Sequence, residues 1–172
     1  MKNNIHFANI SCLSRELENK TISQVELVEH MLSRIESVDQ RLNSYATVCA
    51  DRAIKEARQA EREILAGNYR GRLHGVPLSV KDLCYTRGIR TMGGLKVRKN
   101  FIPTFDSTVV KKLGLAGAVL LGKSVSTEGA LSGYNPEFEI PKNPWGSELW
   151  AGVSSSGSGV SVSAGLCFGS IG

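Results

Sequence analysis

A chain of 172 residues, 41% of them hydrophobic, can bury a real core in one domain, and its mixed composition excludes a disordered or fibrous protein. Lysine and arginine number 21 against 16 aspartate and glutamate, a net charge of +5. The excess is dispersed. Its densest run (Arg87, Arg90, Lys96, Arg98 and Lys99) has no interleaved aromatics and reads as a solvated face, so no nucleic-acid partner is expected.

Three helices are expected first. Ser11 is read as the cap of the first, with Leu13 and Leu17 on one side. Ser23-Gln24-Val25-Glu26 is a capping box opening the second. Val25, Val28, Leu32, Ile35 and Val38 follow at helical spacing. The third runs from about Asp51 to Ala66, with Ala53, Ala57, Ala60 and Ile64 as its apolar stripe and Gly67 as its stop.

The pattern changes after Asn68. Val76–Val80 is a short apolar run ending at a polar residue, read as a buried strand. Asp106 is read as the cap of a helix carrying Val109, Val110, Leu113 and Ala116, and Ala118–Leu121 as the next strand. Strand, helix, strand points to an α/β fold with parallel neighbours. From Ser124 to Trp150 the chain reads as loop, punctuated by Pro136, Pro141 and Pro144. A short helix then spans roughly Gly157–Ala164, Gly165 closes it, and Leu166-Cys167-Phe168 begins a strand. Nothing like a terminating turn precedes Gly172, so the chain is expected to be part of a longer polypeptide.

No apolar run has the length of a membrane span, and Met1–His6 does not resemble a signal peptide. Cys12, Cys49, Cys84 and Cys167 lie far apart without metal-ligand spacing, and His6, His30 and His74 form no cluster. Reduced thiols, a cytoplasmic location, no metal and no membrane partner are expected.

Gly117-Ala118-Val119-Leu120-Leu121-Gly122-Lys123-Ser124 matches the phosphate-loop pattern letter for letter. Its variable positions are themselves a strand and no helix follows, so the match is read as accidental.

Two segments carry candidate chemistry. Lys81 is either a solvent-facing strand end or a buried amine. If buried, it loses proton affinity and can act as a general base. Ser154-Ser155-Ser156 lies between glycines before a helix. One serine is expected to cap that helix, and three exceed what a cap needs. His74 is read as structural, as are Asp82 and Glu128. There is no G-x-S-x-G elbow and no S-x-x-K pair.

Together these segments resemble the amidase signature family, the Ser-cisSer-Lys hydrolases. Leu73-His74-Gly75-Val76-Pro77-Leu78-Ser79-Val80-Lys81-Asp82 is similar to its L-x-G-[VI]-P-x-x-[VI]-K-D element. Ala118–Lys123 resembles its G-A-x-x-x-G-K strand, Asn143-Pro144-Trp145 its N-P-W, and Gly152–Gly159 the start of the signature. The triple serine and Gly133-Tyr134-Asn135-Pro136 are closer to a bacterial amidase branch than to the A-type component of glutaminyl-tRNA amidotransferase.

The resemblance implies an amidase-signature fold, a mixed, mostly parallel sheet flanked by helices and here truncated. Residues 1–67 would be its helical N-terminal part and 68–172 the start of the α/β core, all within one domain. It implies hydrolysis of a small-molecule carboxylic amide through an acyl-enzyme, without cofactor. Lys81 matches the catalytic lysine and Ser154 the serine after the cis peptide bond. Ser155 would support them, and Gly129, Ala130, Leu131, Ser132 and Gly133 would line the substrate cleft. Val153 stands where many relatives have glycine. The attacking serine belongs to a T-D-x-G-G-S-like element expected beyond Gly172, so the chain alone is expected to be inactive. The alternatives are a component of a glutaminyl-tRNA amidotransferase and a non-catalytic binding module, and a homodimer is compatible with the sequence.

Overall fold

The structure is a computed structural model describing residues 4–131 and 133–172. The helices are α1 (Ile10–Glu18), α2 (Gln24–Val38), α3 (Ala50–Leu65), α4 (Thr108–Leu115) and α5 (Ser156–Ser163). The strands are β1 (Tyr45–Val48), β2 (Pro77–Lys81), β3 (Val119–Ser124) and β4 (Ser170–Ile171).

Among the described residues the strands form one mixed sheet in the order β1-β3-β2-β4. β2 runs parallel to both β3 and β4, and β1 is antiparallel to β3. The expected α/β architecture is therefore present. Every residue of β2 and β3 is buried, as expected for central strands covered on both faces. The main core joins Leu13 and Leu17 of α1, Leu27, Val28, Met31 and Ile35 of α2, and Ala53 and Ala57 of α3 to the sheet residues Leu78, Val119 and Leu121. A smaller cluster sets Val110 of α4 against Val80 and Leu120.

The helix starts show where local chemistry decides. Ser23 caps α2 as its capping box requires, with Oγ accepting from Glu26 N at 3.2 Å. The same hydroxyl donates to Glu61 Oε1 at 2.5 Å and so ties α2 to α3. Ser23→Ala removes both bonds and should destabilise the protein by about 1 kcal/mol, seen as a lower denaturant midpoint at unchanged m-value. An unchanged midpoint would remove the cap from the account.

Several expectations need correction. α1 is capped by Asn9, whose side chain accepts from Cys12 N at 2.8 Å. Ser11 falls inside the first turn instead. α4 starts after Ser107, because the Asp106 carboxylate accepts from Arg87 N at 2.7 Å instead. The buried stripe of α2 includes Leu27 and Met31, while Val25, Leu32 and Val38 are only partly buried. Leu166–Phe168 is a buried turn, and the strand begins at Ser170. Two of the three histidines approach each other, with His6 Nδ1 3.4 Å from His30 Nε2, while His74 lies apart against Glu63 and Arg70.

β1 lies in a stretch with no expected element. Its entry is fixed by Asp39, whose carboxylate accepts from Ser44 N at 2.8 Å and Tyr45 N at 3.1 Å.

Candidate active site

Parallel pairing of β2 and β3 brings Lys81, the last residue of β2, opposite Ser124 at the end of β3. The loop before α5 arrives at the same end of the sheet. Gly157 N donates to Val125 O at 3.0 Å, just past β3, and Thr127 N donates to Ser154 O at 3.1 Å. These two backbone bonds hold the serine loop over the strand ends.

Lys81 Nζ donates to Ser154 Oγ at 2.6 Å and to Ser155 Oγ at 2.9 Å. The Val153–Ser154 peptide bond is cis. Ser155 occupies the N-cap position of α5 but makes no side-chain capping bond. The expectation that one serine caps this helix is thus overturned. Lys81 takes the Ser155 hydroxyl, and Ser156 Oγ is buried without a protein partner.

Lys81 is 7% exposed. Burial pushes its ammonium below the usual lysine pKa, partly offset by the neighbouring Cys84 thiol. Among the described residues no carboxylate forms an ion pair with it. The amine also sits at the N-terminal, positive end of α5, which gives an ammonium no support. Two hydroxyls and no acid favour a neutral amine, the form a general base requires.

The residues read as structural are each held by protein partners. His74 is buried between Arg70 N, which donates to its Nδ1 at 3.1 Å, and Glu63 Oε2, 3.1 Å from its Nε2. Glu128 Oε1 accepts from Asn135 Nδ2 at 2.8 Å. Asp82 Oδ2 accepts from Met92 N at 3.0 Å and Gly93 N at 3.1 Å. The phosphate-loop match fails on geometry, since Val119–Ser124 is strand and its lysine is wholly buried. Among the described residues no group of three or more potential metal ligands gathers, and all four cysteines are free.

Gly129 and Ala130 end a short 3-10 helix, Glu128–Ala130, Leu131 and Gly133 lie just beyond it, and Ser132 lies outside the described residues. Leu131 is 75% exposed. A cleft of about 450 Å³ lies against α2 and β1, lined by Tyr45, Arg90, Met92, Gly94, Ser126 and Tyr134 among others, and none of Gly129, Ala130, Leu131, Gly133, Lys81, Ser154 or Ser155 lines it. Two features near the site have no assigned role in the sequence reading. The Thr127 amide has no side-chain signature. Lys123 appears in the sequence only as the end of the G-A-x-x-x-G-K-like strand and of the phosphate-loop pattern, neither of which gives it a role.

The sequence profile of the Amidase family matches residues 26–172. The chain belongs to the amidase family. It is 49% identical over 156 residues to AmiD of Mycobacterium tuberculosis, an amidase by name, covering 91% of this chain and 33% of that one. It is 45% identical over 154 residues to the A-type component of the glutamyl-tRNA(Gln) amidotransferase of Geobacter sulfurreducens, covering 88% and 32%. Among solved structures, the peptide amidase of Stenotrophomonas maltophilia superposes with a TM-score of 0.87 at 32% identity, covering 93% of this chain and 34% of that one. The chain thus spans about a third of the length of the curated relatives it matches. Their family hydrolyses amides, and this chain superposes on about a third of its fold. No helix among the described residues is long and apolar enough to cross a membrane.

Proposed function

We propose that this chain supplies the proton relay of an amide-hydrolysing site, with Lys81 as base and Ser154 as relay. The carrying observation is Lys81 Nζ at 2.6 Å from Ser154 Oγ, with no acid among the described residues to hold the ammonium. Neutral Lys81 takes the proton of Ser154 as Ser154 takes that of a second serine. The second serine's oxygen bonds to the amide carbonyl carbon. The relay then returns the proton to the nitrogen as the C–N bond breaks, and water hydrolyses the resulting acyl-enzyme. Ser155, sharing the amine at 2.9 Å, steadies its orientation.

The attacking serine and the N–H groups that stabilise the oxyanion are assigned to sequence outside these residues. Residues 1–67 are read as the helical N-terminal part of one domain and 68–172 as the start of its α/β core, with Gly129, Ala130, Leu131 and Gly133 beside the substrate. The substrate is a small carboxylic amide, handled without metal or organic cofactor. Free thiols at all four cysteines fit a reducing, cytoplasmic setting. The 45% identity to an amidotransferase component supports a second reading, membership of a larger assembly. Copurification with further components of such an assembly separates the two.

The test is ammonia release from simple primary amides by the complete polypeptide. Ser154→Ala should lower the rate by about 10²-fold or more, and the 172-residue chain alone should release none. Lysine-dependent turnover by the short chain would overturn this division of the site, and a fully active Ser154→Ala enzyme would remove the relay.

A further inference from the structure

Lys123 is 0% exposed, the largest wholly buried side chain of the described residues. It precedes Ser124, the strand partner of Lys81, so its side chain leaves the sheet on the face opposite to that of Ser124. There its ammonium has three acceptors for three donors. It donates to Cys84 O at 2.8 Å and Thr91 Oγ1 at 2.7 Å, and lies 3.5 Å from Asp82 Oδ1. Asp82 is 1% exposed, and its other oxygen holds Met92 N and Gly93 N. The loop from Asp82 to Gly93 is therefore folded around one buried cation.

That loop touches both halves of the relay. On one side, Cys84 N donates to Lys81 O at 2.9 Å, in the turn that ends β2. On the other, Gly129 N donates to Gly93 O at 2.9 Å. Gly94 sits so close that a Cβ there would lie 2.8 Å from Ser126 O and 2.9 Å from Thr127 O. Thr127 N in turn carries Ser154 O at 3.1 Å. An unbroken run of short contacts leads from the Lys123 ammonium to the backbone of Lys81 and to that of Ser154.

We infer that Lys123 is a positioning residue for the Lys81–Ser154 relay, fixing from behind the sheet the separation of base and hydroxyl. The two lysines thereby divide roles by their partners. Burial pushes both lysines below the usual pKa, but at Lys123 the Asp82 carboxylate opposes that push directly, whereas the direct partners of Lys81 are hydroxyls and only the Cys84 thiol opposes it. Removing the Lys123 ammonium leaves Asp82 Oδ1, Cys84 O and Thr91 Oγ1 without their donor. The loop then loosens, and water reaches Lys81.

The inference rests on the relay reading above, and its test separates the two. In the complete polypeptide, Lys123→Met should lower kcat by about 10–100-fold through misplacement of the relay, with KM changed less than about threefold. The midpoint of the rising limb of kcat against pH should move upward, because a rehydrated Lys81 holds its proton more tightly. A folded Lys123→Met enzyme with the wild-type kcat and pH midpoint would overturn the inference. If Lys123→Met does not fold, Thr91→Val decides. It removes one acceptor from the ammonium and should shift the same midpoint upward with a smaller loss of kcat; an unshifted profile overturns the role. If the wild-type enzyme hydrolyses no amide, the relay reading fails. Amide exchange then decides the structural half: Cys84 and Thr127 N–H should exchange faster in the variant, and unchanged protection overturns it.

Discussion

Lys81→Met should lower amide hydrolysis by the complete protein about 10²–10⁴-fold, the range expected for loss of a general base, while leaving the fold intact. Lys81 is buried, its pKa is depressed by that burial, and its amine donates to the hydroxyls of Ser154 and Ser155. Methionine keeps the volume and loses the lone pair. Wild-type activity should rise with pH as Lys81 loses its proton, and the variant should lack that limb.

Stability should move in the opposite sense to activity. A lysine whose folded pKa lies below its unfolded one binds fewer protons when folded, so its contribution to stability improves as pH rises. Below the folded pKa the charge is buried at full cost. Above the unfolded value, near 10.4, the amine is neutral in both states and the cost is gone. Lys81→Met should therefore raise the melting temperature at neutral pH, with the gain fading toward alkaline pH. Melts at several pH values check this. A variant that is both fully active and less stable would show Lys81 to be a structural lysine.

Much of this site could be read from the sequence because its parts are written locally. The apolar run Val76–Val80 makes β2 a central strand, and a lysine at the end of a buried strand must be partly desolvated. The glycine and serine density at Gly152–Gly159 marks a tight loop. What sequence reading missed depends on partners far along the chain. Asn9 displaces Ser11 as a cap because it sits one residue before the helix with its carboxamide over Cys12 N. Asp106 resembles a cap until the Arg87 amide, nineteen positions earlier, claims it. β1 is four residues long, and its place against β3 depends on the Asp39 carboxylate and on Gly122, where Thr47 O approaches too closely for any side chain. Lys123 ends a strand motif that gives it no role, and its partners Asp82, Cys84 and Thr91 lie 32 or more positions earlier in the chain.

Gly157→Ala should be the most disruptive single-methyl change in the serine loop. A Cβ at Gly157 would fall within 3.0 Å of Val125 N, Val125 O and Ser44 O, all backbone atoms that no rotamer change can move. Gly157 N also donates to Val125 O at 3.0 Å, so relieving the clash lifts the first turn of α5 off the end of β3. Overpacking of this kind costs about 1–3 kcal/mol and sometimes more, and here the displaced turn carries Ser154 and Ser155. Gly159, two residues on, is the matched control: it is exposed in the same helix, and a Cβ there meets nothing within 4 Å. Gly159→Ala should stabilise α5 by up to about 1 kcal/mol through helix propensity and leave hydrolysis unchanged. Denaturant melts and rates on the pair distinguish close approach from propensity. If both variants behave alike, the contact between α5 and β3 does not set the height of the serine loop above Lys81.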